Sequence, residues 1–137
     1  MIGEAMEQHV ANPSQVNIAG EEMALLPSAV LPLSLVLNEL STNATKYGAF
    51  SVAAGRVSLR WAYDREADYF FLWWEEMEGP PVTEPNARGF GSRLLERAIP
   101  RQLGGEGRLS FAATGVCYEL KVAMANIAYR GPSEAAG

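Results

Sequence analysis

Apolar residues at Leu33, Val36, Leu40, Ala44 and Tyr47 recur at three- and four-residue intervals, the period of a helix with one face turned to a core. The pattern predicts a main helix that begins between Ser28 and Leu33. Pro27 and Pro32 blur its start, because proline is tolerated near a first turn but not in a helix body. Gly48 is its natural terminator. The period then changes to two. In "GRVSLRWAYD", Val57, Leu59, Trp61 and Tyr63 share one side and Ser58, Arg60 and Ala62 the other, which is a half-buried strand. After a turn at "DREAD", the aromatic run "YFFLWWEE" predicts a central strand pairing antiparallel with its predecessor. "SRLLERAIPRQLGG" returns to helical spacing through Leu94, Leu95, Ala98 and Ile99, with Pro100 expected to end or kink it. "EGRLSFAATGVCYELKVAM" predicts a final hairpin turning at "ATG".

The remaining stretches are shorter. "EAMEQHVA" reads as a helical turn or two, Val16 to Leu25 as a short strand or a hairpin around a glycine turn, and "MEGPPVTEPNARGFG" as a loop. "GPSEAAG" reads as a frayed tail. Together these elements give an α+β fold: a two-layer α/β sandwich, with helices on one face of a mixed, mostly antiparallel sheet.

Composition narrows the function classes. A chain of 137 residues with 48% hydrophobic content buries one core. A net charge of -5 and a pI of about 4.9 argue against a surface built for nucleic acid. No apolar run reaches the roughly 18 residues of a membrane span, and "MIGEAMEQHV" lacks the basic start and apolar stretch of a signal peptide, so a cytoplasmic location without membrane contact by this segment is expected. Cys117 is the only cysteine and is expected to be a buried strand residue. His9 is the only histidine, which excludes a multi-histidine metal site within one chain.

The main helix carries a second stripe. With roughly 100° per residue, Glu39, Asn43 and Lys46 fall within about 60° of one another, beside the core stripe rather than on it. One reading is a solvated face with a weak charge pair; the other is a polar edge offered to a ligand. "ARGFGSRLL" favours the ligand, because Gly89 and Gly91 before a helix let backbone N–H groups approach an anion where the first turn's unpaired donors point.

These stretches resemble a known family. "LVLNELSTNATKYGA" is similar to the N box of the ATP-binding domain of sensor histidine kinases, "WEEMEGPPV" to its G1 box and "RGFGSRLLERAI" to its G2 box. The wording is most similar to the HWE subfamily, through Trp74, Glu76 and the run Gly79 to Val82, and the likeness extends from about Val16 to Met124. The resemblance implies the Bergerat-type ATP-binding sandwich and a domain layout of an N-terminal segment 1–14, a catalytic domain 15–125 and a tail 126–137. It implies ATP and Mg²⁺ as cofactors. Glu39 would be the general base, Asn43 would hold Mg²⁺ and Lys46 would neutralise phosphate charge. Glu76 would accept a hydrogen bond from the adenine amino group, with Tyr47 either packed beside the base or part of the core. Gly79 belongs to the same nucleotide-binding run. Gly89, Gly91 and Ser92 would belong to the phosphate cradle, with Arg88 and Arg93 either adding positive charge or remaining solvated. Trp74 would support the site and Trp73 would be core. "TEPNA" would be a very short ATP lid.

Two positions depart from the family pattern. Asn38 stands in place of the histidine of the subfamily name, and Glu78 stands where the first glycine of the G1 box is usual. Glu78 adds bulk and negative charge near an anionic nucleotide, so weakened ATP binding is expected. His9 lacks the neighbours of a phosphoacceptor. The implied partners are therefore an upstream dimerisation and phosphoacceptor domain and, through the parent kinase, a response regulator. The alternative is a degenerate Bergerat-fold module that docks a signalling partner without using ATP. An anti-sigma-type serine kinase of the same superfamily fits the Trp-x-Glu wording less well.

Overall fold

The computed structural model describes residues 2–8, 13–81, 93–112 and 114–129. His9, the short segment "TEPNA", Arg88, Gly89, Gly91 and Ser92, and residues 130–137 lie outside them.

Strands β1 (Val16–Gly20), β2 (Arg56–Asp64), β3 (Tyr69–Met77), β4 (Gly105–Ala112) and β5 (Gly115–Ala123) form one sheet in the order β1-β2-β3-β5-β4. β1 runs parallel to β2, and the other pairs are antiparallel. A parallel neighbour cannot be reached by a hairpin; the chain must cross over one face of the sheet. Helix α2 (Pro27–Tyr47) makes that crossover. The structure thus resolves Val16 to Leu25 as a strand without a hairpin: Leu25 instead forms an isolated bridge with Ala128.

Helix α2 starts earlier than its pattern suggests. Pro27 occupies the first helical position, where its missing N–H would have had no partner and its fixed φ already suits a helix. Pro32 is inside the helix and buried, and the carbonyl it leaves free is that of exposed Ser28. The buried face is Ala29, Pro32, Leu33, Val36, Leu37, Leu40, Ser41 and Ala44. Tyr47, placed on the core stripe by periodicity alone, is the last residue of the helix and is 60% exposed.

Helix α3 opens with a wide π turn, Leu94–Ala98, in which the Ile99 N–H reaches back to the Leu94 carbonyl, and continues as the α-helical Ile99–Leu103. Pro100 therefore does not end the run. It lies just past the widened turn, in the opening residues of the α-helical part, and Gly104 closes the helix with φ 70°, a left-handed cap that a residue with a Cβ enters at a cost. Tyr118 ties α3 to the sheet by donating its hydroxyl to the Leu95 carbonyl at 2.6 Å.

The inner sheet face supplies Val57, Leu59, Trp61, Phe70, Leu72, Trp74, Tyr118, Leu120 and Val122 to the core, all buried. The other face is open. Trp73, expected in the core, lies on it, stacked on Phe71 at 5.5 Å with its indole N–H on Glu119 at 2.8 Å. Cys117 shares that face and is half-buried rather than buried, since strand alternation puts it opposite Tyr118. Helix α1 (Ile2–Gln8) sinks Ile2 and Met6 into the same core, and Ile127 and Ala128, at the start of the expected tail 126–137, are buried too. The packed unit thus reaches beyond 15–125 at both ends. No helix among the described residues is long and apolar enough to cross a membrane.

Leu37 is 1% exposed and Leu35 is 42% exposed on the same helix. We expect Leu37→Ala to cost about 2–4 kcal/mol and Leu35→Ala under about 0.5 kcal/mol in urea unfolding, the difference reporting the helix's rotation about its axis.

Candidate functional site

The polar end of the sandwich is built where β3 runs out beneath the C-terminus of α2. α2 stops at Gly48, whose N–H bonds the Ala44 carbonyl at 3.0 Å, and the chain turns through the short 3₁₀ segment Ala49–Ser51. Gly48 is not in a left-handed conformation. It is glycine because a Cβ there would run into the Glu76 carboxylate. Gly79 answers to the same crowding from the other side, since a Cβ would lie 2.9 Å from the Ala49 Cα.

Glu76 sits on β3 with its side chain turned inward and is only 5% exposed. Its Oε1 accepts the Ala49 N–H at 2.9 Å, and its Oε2 accepts the Trp74 indole N–H at 3.0 Å. The i, i+2 spacing of Trp74 and Glu76 puts both on one strand face, so the tryptophan buries its ring while its polar edge holds the carboxylate. Desolvation raises the Glu76 pKa above its ordinary value, opposed by the Ala49 and Trp74 donors. A carboxylate has about four lone-pair directions. Two are used here, leaving acceptor capacity for a further donor.

Glu39 and Asn43 are half-buried and Lys46 is exposed, along the stripe the helical period predicts, on the helix whose end abuts Glu76. Tyr47 is exposed on the turn just before Gly48, so of its two expected roles the core one is excluded. Arg93 is exposed at the start of α3, which packs beside α2. Glu76, Gly79 and the Gly48–Ala49 peptide are in direct proximity. Arg88, Gly89, Gly91 and Ser92 fall outside the described residues.

Glu78 has φ 56°, the left-handed region in which glycine is at ease and a side chain is strained. The departure from the family pattern is thus a backbone position that still has a glycine's shape. Asn38 is exposed and points away from Glu39 by one helical step.

Sequence reasoning missed Ala49, whose contribution is a main-chain N–H, and Gln15, described below. Only the Trp-x-Glu spacing signals such a pairing in advance.

A blue-light-activated histidine kinase of Brucella ovis is 34% identical to the chain over 109 residues, 78% of this chain and 22% of that protein. One of Brucella anthropi is 35% identical over 112 residues, 80% of this chain and 23% of that protein. Over that stretch the chain is related by sequence to histidine kinases. Among solved structures, the Erythrobacter litoralis EL346 blue-light activated histidine kinase superposes with a TM-score of 0.71 at 21% identity, over 90% of this chain and 40% of that one. The catalytic domain of histidine kinase ThkA gives 0.61 at 14% identity, over 90% and 93%. The sandwich is therefore the fold of histidine kinase catalytic domains, as the resemblance implied. No family model matches the chain. The domain spans about a fifth of the length of the curated relatives it matches.

Because the folded-state pKa of Glu76 is raised, its contribution to stability is fully present below the unfolded value near 4.5 and is lost as pH rises through the higher folded value. Urea unfolding of Glu76→Gln should show a smaller fall in stability from pH 4.5 to pH 7 than the unsubstituted domain. An equal fall in both proteins contradicts the assignment.

Proposed function

We propose that this domain binds Mg-ATP and transfers the γ-phosphoryl group to a histidine of a dimerisation and phosphoacceptor domain in its parent kinase, for passage to a response regulator. The observation that carries the reading is the buried Glu76 carboxylate, held by two donors and with lone pairs to spare, beside the turn that ends the stripe of Glu39, Asn43 and Lys46.

In this reading Glu76 receives the adenine amino group, the exposed Tyr47 covers one edge of the base and Gly79 lets the chain pass close to it. Among the described residues no three His, Cys, Asp or Glu side chains form a metal-holding group. The half-buried Asn43 amide oxygen fits Mg²⁺ as the protein's share of its ligands, since that ion takes most of the rest from phosphates and water. Bound Mg²⁺ supplies charge neutralisation on the triphosphate. Lys46 adds a positive charge at the same stripe. Glu39 orients or deprotonates the attacking imidazole; positioning and charge stabilisation carry most of phosphoryl transfer. Arg93, exposed at the start of α3, adds positive charge on the phosphate side; the phosphate contacts expected of Arg88, Gly89, Gly91 and Ser92 and the lid expected of "TEPNA" lie outside the described residues. The parent kinase acts in the cytoplasm, where ATP and response regulators are found.

A second reading is a non-catalytic module with little or no ATP binding. The strained Glu78 favours it, since a carboxylate replaces the glycine that would let the nucleotide approach.

Titration with a fluorescent ATP analogue and Mg²⁺ separates the two readings. Under the first, Asn43→Ala weakens binding at least about tenfold, whereas Glu39→Gln leaves the Kd within about twofold and lowers phosphotransfer in the parent kinase by about a hundredfold or more. No saturable binding by the unsubstituted domain selects the second.

Glu78→Gly should tighten binding. Its stability should stay within about 1 kcal/mol, because relief of left-handed strain offsets the added backbone entropy of the unfolded chain. An unchanged Kd removes Glu78 from the account.

A further inference from the structure

Gln15 ends the 3₁₀ turn Pro13–Gln15 immediately before β1, far in sequence from the nucleotide stripe. Its side-chain Nε2 donates to the Val52 carbonyl at 2.9 Å and the Gly55 carbonyl at 2.8 Å, and the Ala49 carbonyl lies 3.5 Å away. Both amide hydrogens thus engage the loop that begins at Gly48. Apart from the Ala49 N–H on Glu76, the other bonds of that loop among the described residues are local. Ser51 returns its N–H and its hydroxyl to the Gly48 carbonyl, Gly55 N–H reaches Val52, and Arg56 bonds the Ala53 and Gly55 carbonyls from the loop's own exit. Gln15 is a second tie from a distant segment, across 37 and 40 residues.

The loop it holds carries the Ala49 N–H, one of the two donors on Glu76. Packing allows little slack around Ala49. A Cβ on Gly55 would collide with its carbonyl, and one on Gly79 would crowd its Cα and N. Where Ala49 sits therefore decides how the Glu76 carboxylate is rotated, and so where its unused lone pairs point.

We propose that Gln15 is a positioning residue for purine specificity: by clamping the 48–55 loop it orients Glu76 to accept a 6-amino group and to oppose a 6-oxo group. The proposal rests on the reading that Glu76 receives the adenine amino group. The chemistry is one of donor against acceptor. An ionised carboxylate only accepts, so the 6-amino group of ATP satisfies it, while the 6-oxo group of inosine triphosphate sets two acceptors face to face. A carboxylate free to rotate loses much of that discrimination.

The test compares Mg-ATP and Mg-ITP affinities of the unsubstituted domain, Gln15→Leu and Gln15→Lys, together with hydrogen exchange at the Ala49 amide in nucleotide-free protein. Gln15→Leu removes both donors at similar volume, and should lower the ATP preference by roughly three- to tenfold, leave ITP affinity within about twofold and speed exchange at Ala49. Gln15→Lys, whose ammonium can donate to the same carbonyls, should keep most of the preference and of the protection.

An ATP preference and an Ala49 exchange rate in Gln15→Leu equal to those of the unsubstituted domain overturn the proposal. So does an equal loss of affinity for both nucleotides, the mark of general loosening. If the unsubstituted domain binds both nucleotides equally, Glu76 does not read the base, and its adenine role and the specificity role of Gln15 fall together while nucleotide binding itself stands. If it prefers ATP and Gln15→Leu behaves identically, only the role of Gln15 falls.

Discussion

A carboxylate taken almost wholly out of water must be compensated or neutralised, and at Glu76 the compensation comes from one main-chain N–H and one indole N–H. Those two donors come from the turn after α2 and from the same strand two residues back. Neither position is free to drift without leaving the carboxylate unpaired. The site end of the domain is organised around that constraint: Gly48 and Gly79 are small because the Glu76 side chain and Ala49 occupy the space their Cβ atoms would need. A structural role alone would be served as well by an apolar residue of similar size, since a buried charge is poor evidence for stability. A carboxylate kept there at the cost of desolvation points to a ligand donor it is meant to meet.

The rest of the fold follows from putting α2 over that carboxylate. Parallel pairing of β1 with β2 requires a crossover, and a 21-residue helix is long enough to span the sheet and bring one end to the tip of β3. The buried face of α2 leaves Glu39 and Asn43 at the border of the core, half in water, where a side chain can be both positioned by packing and reached by a ligand. Beside it, α3 is locked to β5 through Tyr118 and the Leu95 carbonyl, which sets the second wall of the same end.

Much of this was legible from the residues. Period-two alternation placed Val57, Leu59 and Trp61 correctly, and period 3.6 found both stripes of α2, because each pattern is enforced along the length of its element. Periodicity failed where an element ends or faces two ways. Tyr47 has the right phase for the core but is the last residue of the helix and is exposed. Trp73 and Cys117 are apolar, yet strand alternation sends them to the open face. Pro100 looked like a stop because the rule assumes α geometry, and the preceding π turn changes which carbonyl is asked for a partner. Of the site, charged and amide side chains could be named in advance, but the Ala49 N–H carries no side-chain signal, and the clamp from Gln15 depends on a loop fold that pairwise spacing does not encode.

The most direct measurement is a crystal structure of the domain with Mg²⁺ and a non-hydrolysable ATP analogue. The account predicts the adenine amino nitrogen within about 3.2 Å of a Glu76 carboxylate oxygen and the Asn43 side-chain oxygen on the metal at about 2.1 Å. A base seated away from Glu76, or a triphosphate bound off the Glu39–Asn43–Lys46 stripe, would contradict it.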